Sequence, residues 1–232
     1  TPGERKRAFG ILFFCLLCLG MGQSLFFAVL PPVARDLGLT EVQVGAIFSL
    51  SALLWVVTSP FWGRTSDVWG RKPIMLIGLC GFGTSTIGFA VFIWMGMQGM
   101  IGLALLFPLL VGVRAIFGAF GSGTMPASQA YVADRTTRAE RASGVATIGA
   151  AFGMGTVIGP GVAAALIVFG LLAPFFVVGS LAFASAIAIW VLLPERSRPR
   201  ERQDKKNRLK IKDSRVWPVL IVGALMAMGQ SI

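Results

Sequence analysis

The chain contains no histidine, and none of its ten acidic residues lies deep within an apolar segment. Without imidazole or clustered carboxylates, the acid–base pairs and metal-ligand sets on which most enzymes rely are missing, so a non-enzymatic role without a cofactor is expected. No Gly-x-x-x-x-Gly-Lys-Ser/Thr loop is present, which argues against direct ATP drive within this chain. Cysteine is scarce: Cys15, Cys18 and Cys80 all sit in apolar segments. The Cys15-x-x-Cys18 spacing has no second pair to complete a metal site, so these thiols read as small apolar packing groups. Charged residues make up only 13% of the chain, too few for an ordinary soluble domain.

Hydrophobic residues account for 55% of the sequence, and its mean hydropathy is +0.77. The apolar runs fall at residues 8–30, 42–62, 74–95, 103–132, 142–169 and 171–193, and a seventh begins at Val216. Each of the six is long enough to cross a bilayer core, which takes about 20 residues at helical rise. The runs are continuous and do not alternate in polarity, so helices are expected and a barrel is not. The first run is too long for a signal-peptide core and reads as a retained span.

The net charge of +11 is distributed unevenly. When the connecting segments are numbered alternately from the N-terminus, every Lys and Arg except Arg35 and Arg114 falls on one side. The positive-inside rule then places the N-terminus and the basic segment 194–215 in the cytoplasm of a multi-pass plasma-membrane protein. That segment lacks interleaved aromatics, so a nucleic-acid partner is not expected. It also lacks the apolar groups for a core and marks a domain boundary. Residues 1–193 form one six-span bundle, and 216–232 start a seventh span. A chain that opens without Met and closes inside an apolar run is expected to be part of a longer protein. The ending 227–232 (AMGQSI) echoes 20–25 (GMGQSL), as the start of a second six-span repeat would. The complete chain would then have on the order of 400 residues.

Three groups of residues stand out. Arg114 lies in the middle of an apolar run with no acidic residue nearby. Placing a guanidinium there costs roughly 2.5–3.5 kcal/mol on insertion scales, so it should face a watery cavity or a partner. Gln23 and Ser24 in the first run and Gln129 in the fourth are the remaining polar candidates, with Phe26, Phe27, Trp55 and Phe117 as possible lining. Between the second and third runs the chain reads Gly63-Arg-Thr-Ser-Asp67-Val-Trp-Gly70-Arg71-Lys72-Pro73. This is read as a short turn in which Gly63 and Gly70 permit tight backbone, Pro73 opens the next helix, and Asp67 pairs with Arg71. The fifth run carries Gly149-x-x-x-Gly153 and Gly155-x-x-x-Gly159-Pro160-Gly161, a smooth small-residue surface suited to close helix packing.

The G-x-x-x-D-x-x-G-R-K pattern between spans two and three resembles the signature of the major facilitator superfamily. The resemblance covers the whole chain and implies an all-α fold, the N-terminal six-span half of a 12-span bundle. Arg114 with Gly118 is similar to the family's fourth-span R-x-x-x-G pattern, which implies an association with proton coupling. Gly155, Gly159 and Pro160 resemble the fifth-span motif of exporters that exchange drugs for protons, although Ala163 and Ala164 stand where that motif ends in glycine. In such proteins the loop acts as a gate, which implies that role for Asp67, with Arg71 in support and Gly63, Gly70 and Lys72 completing the motif. The expected activity is export of small hydrophobic or amphipathic compounds in exchange for protons, by a monomer in the lipid bilayer. A uniporter or importer of a metabolite is the alternative, and a membrane sensor on the same scaffold is another.

Overall fold

A computed structural model describes residues 2–194, and the expected start of a seventh helix lies outside them. The chain folds into helices α1 (Pro2–Asp36), α2 (Glu41–Trp69), α3 (Arg71–Met97), α4 (Leu103–Ile116), α5 (Thr124–Asp134), α6 (Arg138–Ile167) and α7 (Ala173–Leu192). A π-helical turn, Phe117–Gly121, joins α4 to α5, so the segment Leu103–Asp134 forms a single fourth span. Among the described residues, six helices are long and apolar enough to cross a membrane. This is the all-α, six-span architecture that the apolar runs predict.

The helices outrun those apolar segments at most of their ends. α1 has 35 residues, roughly 50 Å at 1.5 Å per residue, well beyond a hydrocarbon core of about 30 Å. Several of the added turns carry charge, as in Glu4-Arg5-Lys6-Arg7 of α1 and Arg64 to Asp67 of α2, because a helix satisfies its own backbone whether lipid or water surrounds it. Two starts are set by capping boxes. Thr40 accepts from the Gln43 N–H while the Gln43 side chain accepts from the Thr40 N–H, and Thr137 and Glu140 repeat the arrangement.

Aromatic and small residues together build the interior. Phe26 of α1, Phe89 of α3 and Phe175 of α7 meet at centroid distances of 4.9–6.1 Å, and all three are fully buried. Small residues let backbones close in around them: Gly83 of α3 lies under the Phe183 ring, and Gly20 of α1 under the Phe152 carbonyl of α6. α1 and α3 are the central helices, each with half of its apolar window buried, against 11% for α2. α2 therefore keeps most of its apolar surface available to lipid or to other parts of the protein.

Charged residues gather at one end of this bundle. Arg5 at the start of α1 pairs with Glu140 at the start of α6 at 3.0 Å. At the α3 end, Arg71 reaches Asp134 at the close of α5. Arg135 stacks on the Tyr131 ring at 3.6 Å and donates to the Pro194 carbonyl at 2.9 Å. Among the described residues, these contacts bring basic residues of the N-terminus and of the α2–α3 and α5–α6 connections to the same end.

Candidate functional site

A cavity of about 340 Å³ opens between α1, α2 and α4, lined by Gln23, Phe27, Phe48, Ser51, Trp55, Arg114 and Phe117 among others. Its walls are aromatic. Phe27 and Phe48 stack at 4.5 Å with ring planes 15° apart, and Trp55 meets Phe117 at 5.1 Å. Polar character is concentrated in Arg114, Gln23 and a few serines.

Arg114 is 2% exposed. Its Cζ lies 4.0 Å from the centroid of the Phe26 ring and 4.4 Å from that of Phe117. Its Nε and Nη1 are enclosed and have no hydrogen-bond acceptor, and no ion pair reaches it among the described residues. Ring contacts of this kind contribute roughly 0.5–2 kcal/mol each. An enclosed donor left without an acceptor costs about 1–3 kcal/mol, and more when the group is charged. The rings therefore offset only part of the cost, and the guanidinium retains an unmet demand for negative charge. The Gln23 Oε1 is likewise enclosed without a donor.

Arg114 sits in the last turn of α4, just before an irregular stretch of backbone. A π turn shifts the helical hydrogen-bond register and releases carbonyls that need outside donors. α2 supplies them: the Thr58 hydroxyl reaches the Gly118 carbonyl at 3.1 Å while shared with the Leu54 carbonyl of its own helix at 2.8 Å, and Trp62 Nε1 donates to the Ala119 carbonyl. Ser122 Oγ lies 2.7 Å from Thr58 Oγ1 and ties the same corner. Gly118 allows this approach, since a Cβ there would strike the Ser51 carbonyl of α2. Removing the donors in Thr58→Val with Trp62→Phe should destabilise the protein by about 1–3 kcal/mol per orphaned carbonyl, read as a lower melting temperature in detergent. An unchanged melting temperature would show that the π turn is held by other means.

The second cluster sits at the charged end. Arg71 Nη2 lies 2.6 Å from Asp67 Oδ1, its Nε 3.2 Å from Asp134 Oδ2, and its Nη1 donates to Ser66 Oγ at 2.7 Å. One guanidinium thus joins the ends of α2, α3 and α5. The predicted Asp67–Arg71 pair is present, whereas Asp134 is a partner that no spacing rule in the sequence identified. The predicted short turn is narrower than expected. Gly63 lies within α2, which runs on to Trp69, and has open space around it, so it supplies no tight backbone. Gly70 alone breaks the helix, at φ 102°, a conformation open essentially to glycine. Lys72 and Pro73 follow in the first turn of α3.

The third group divides. Gly155 and Gly159 face α1, where a Cβ on Gly155 would strike the Leu17 carbonyl and one on Gly159 the Ser24 hydroxyl. Gly149, Gly153 and Gly161 meet nothing within 4 Å. α6 continues through Pro160 without interruption. Of the anticipated lining residues, Gln23, Phe27, Trp55 and Phe117 reach the cavity. Phe26 instead backs Arg114 from the core, Ser24 Oγ bonds the Met21 carbonyl of its own helix, and Gln129 does not join the lining.

The comparisons with known proteins agree with this architecture. The family model described as Major Facilitator Superfamily matches residues 12–232. Multidrug resistance protein 2 of Bacillus subtilis is 31% identical, over 98% of this chain and 56% of its own length. Quinolone resistance protein NorA of Staphylococcus aureus is 28% identical, over 94% and 53% respectively. The chain spans about half the length of these curated relatives. Among solved structures, the human organic anion transporter MFSD10 (TETRAN) superposes with a TM-score of 0.65 at 27% identity, covering 82% of this chain and 48% of that one.

Proposed function

From the premise that this chain belongs to the major facilitator superfamily, a multi-pass integral membrane family of transporters, we propose that it forms one half of a proton-coupled exporter of small hydrophobic or amphipathic compounds. The observation that carries this reading is Arg114, a buried cation without a counter-charge among the described residues, at an aromatic-lined cavity inside the membrane span. The names of the two bacterial relatives, a multidrug and a quinolone resistance protein, support the export of drug-like compounds.

In this reading the bundle rocks against a second bundle, exposing the cavity to each side of the membrane in turn. Asp67 and Arg71 latch the charged end, Gly70 permits the sharp reversal between α2 and α3, and Lys72 adds to the positive charge there. In this reading that end faces the cytoplasm together with the N-terminus, which its excess of basic residues supports. Arg114 and Gly118 belong to the coupling region and Gln23 to the cavity, while Gly155, Gly159 and Pro160 shape the fifth span. A guanidinium keeps its proton throughout the physiological range, so Arg114 acts through its fixed charge and the proton rides on another group. The protein works as a monomer in the plasma membrane, and residues 194–215 serve as a cytoplasmic linker between the halves.

Everted membrane vesicles acidified inside test the proposal, with the proton gradient followed by dye quenching. Addition of lipophilic cations, neutral drugs or aromatic acids should collapse the gradient with at least one class, and Arg114→Ala and Asp67→Ala should abolish the effect. Downhill uptake of a metabolite with no gradient collapse by any compound would overturn proton exchange.

A further inference from the structure

Arg114 and the surfaces around it specify more than a generic apolar ligand. Its Nε and Nη1 are enclosed and unpartnered, at 2% exposure, on the wall of the α1–α2–α4 cavity. The carboxylates of the six described spans sit at helix ends, in Asp36, Glu41, Asp67, Asp134 and Glu140 and in Glu4 of the first turn, away from this wall. No described residue supplies the negative charge that the guanidinium demands. The stacked Phe27–Phe48 pair and Trp55 line the same cavity with apolar rings. The cavity, at about 340 Å³, falls at the small end of the range for small-molecule sites, roughly 300–1,000 Å³.

We propose that Arg114 docks the acidic group of an aromatic, amphipathic organic anion whose ring body lies against Phe27, Phe48 and Trp55. The inference rests on the proposed transport function for its meaning and narrows the substrate to a chemical class. A carboxylate or sulfonate in the cavity neutralises the guanidinium that forms part of its wall, in a water-poor site where charge-assisted interactions are strongest. The Phe26 and Phe117 rings hold the guanidinium in place, so little side-chain freedom is lost on binding. A permanently cationic ligand meets repulsion at the same wall.

Calorimetric titration of the purified protein in phosphatidylcholine nanodiscs, with three matched probes, provides the test. These are 2-naphthylacetate, its methyl ester, and 2-(2-naphthyl)ethylammonium. The acid should bind about tenfold or more tighter than the ester, as expected for a charge-assisted hydrogen bond, and the ammonium weakest. Arg114→Met should bring the acid down to the affinity of the ester without moving the ester, and Arg114→Lys should fall between. The wild-type rank order decides the matter even where a variant folds poorly. Equal binding of acid and ester, or preference for the ammonium, overturns the proposal and assigns the counter-charge of Arg114 to a carboxylate of the protein itself. Loss of acid binding when phosphatidylglycerol is added to the nanodiscs overturns it in favour of a lipid headgroup. The vesicle assay stays independent. Acid-selective binding without gradient collapse removes proton exchange and leaves this site, whereas gradient collapse without acid preference removes this site and leaves the exchange.

Discussion

Gly155→Leu and Gly159→Leu should each leave little folded protein, while Gly153→Leu, two residues before Gly155 and on another face of the helix, should fold. A Cβ at Gly155 collides with the Leu17 carbonyl and lies 2.8 Å from the Met21 nitrogen, and one at Gly159 lies 2.7 Å from the Met21 carbonyl. Those obstacles are largely the backbone of α1, which has no rotamer to escape into. Inserting a side chain must therefore pry α1 from α6, at or above the top of the roughly 1–3 kcal/mol typical of overpacking. Against a total stability of about 5–15 kcal/mol, that loss is large. Gly153 has open space around it, so its substitution should stay within about 0.5 kcal/mol, as for sites free of packing. Fluorescence-detected size exclusion with a thermal ramp reads both. A Gly155→Leu variant that elutes and melts like wild type would show that α1 and α6 are not locked together by this face.

That division was within reach of the sequence, yet a single small-residue surface was the simpler reading of it. Members of each Gly-x-x-x-Gly pair are one turn apart, but the pairs are offset by six residues, which at 3.6 residues per turn sets them about 120° apart around the helix. Periodicity separates the faces without saying which of them meets α1. The six spans were legible because lipid demands long apolar runs. Their ends were not, although Thr40-x-x-Gln43 and Thr137-x-x-Glu140 are capping-box patterns that announce two of them. Gly63 misled in the opposite direction: a glycine beside a charged segment suggests a turn, but the helix passes through it and stops only where Gly70 takes up a positive φ.

Arg114 could be singled out from the sequence because its cost in an apolar run does not depend on the rest of the fold. Its setting could not. The Phe26 ring against it comes from another helix, and the π turn beside it depends on Thr58 and Trp62 donating from α2. The one trace of that arrangement in the sequence is that Thr58 and Trp62 are four residues apart and so share a helix face. Asp134 was invisible for a related reason, since its meeting with Arg71 is decided by where α5 ends in space.

At the charged end, Arg71→Met should cost more stability than Asp67→Asn, and Asp67→Asn should cost more transport than stability. The Arg71 side chain is 9% exposed and serves three partners at once, whereas the Asp67 and Asp134 side chains are 50% and 39% exposed. A carboxylate that keeps its water gains little from an ion pair, typically about 0–1 kcal/mol, so neutralising either acid alone is a small loss. Removing the guanidinium strips Ser66 Oγ and both carboxylates of a donor and uncouples three helix ends. That loss is about 1.5–3 kcal/mol, the range for hydrogen bonds to charged groups, and stays below the buried-pair limit because the acids can rehydrate. Asp67, held by Arg71 yet half open, remains free to engage a partner as the bundle moves. Losing its charge should then shift the balance between the two access states, and a shift of about 1.4 kcal/mol changes their ratio tenfold. Melting temperatures and transport rates measured on the same preparations separate the two effects. If Asp67→Asn lowers stability as much as Arg71→Met does, Asp67 is an anchor of the fold, and the latch must be sought elsewhere at this end.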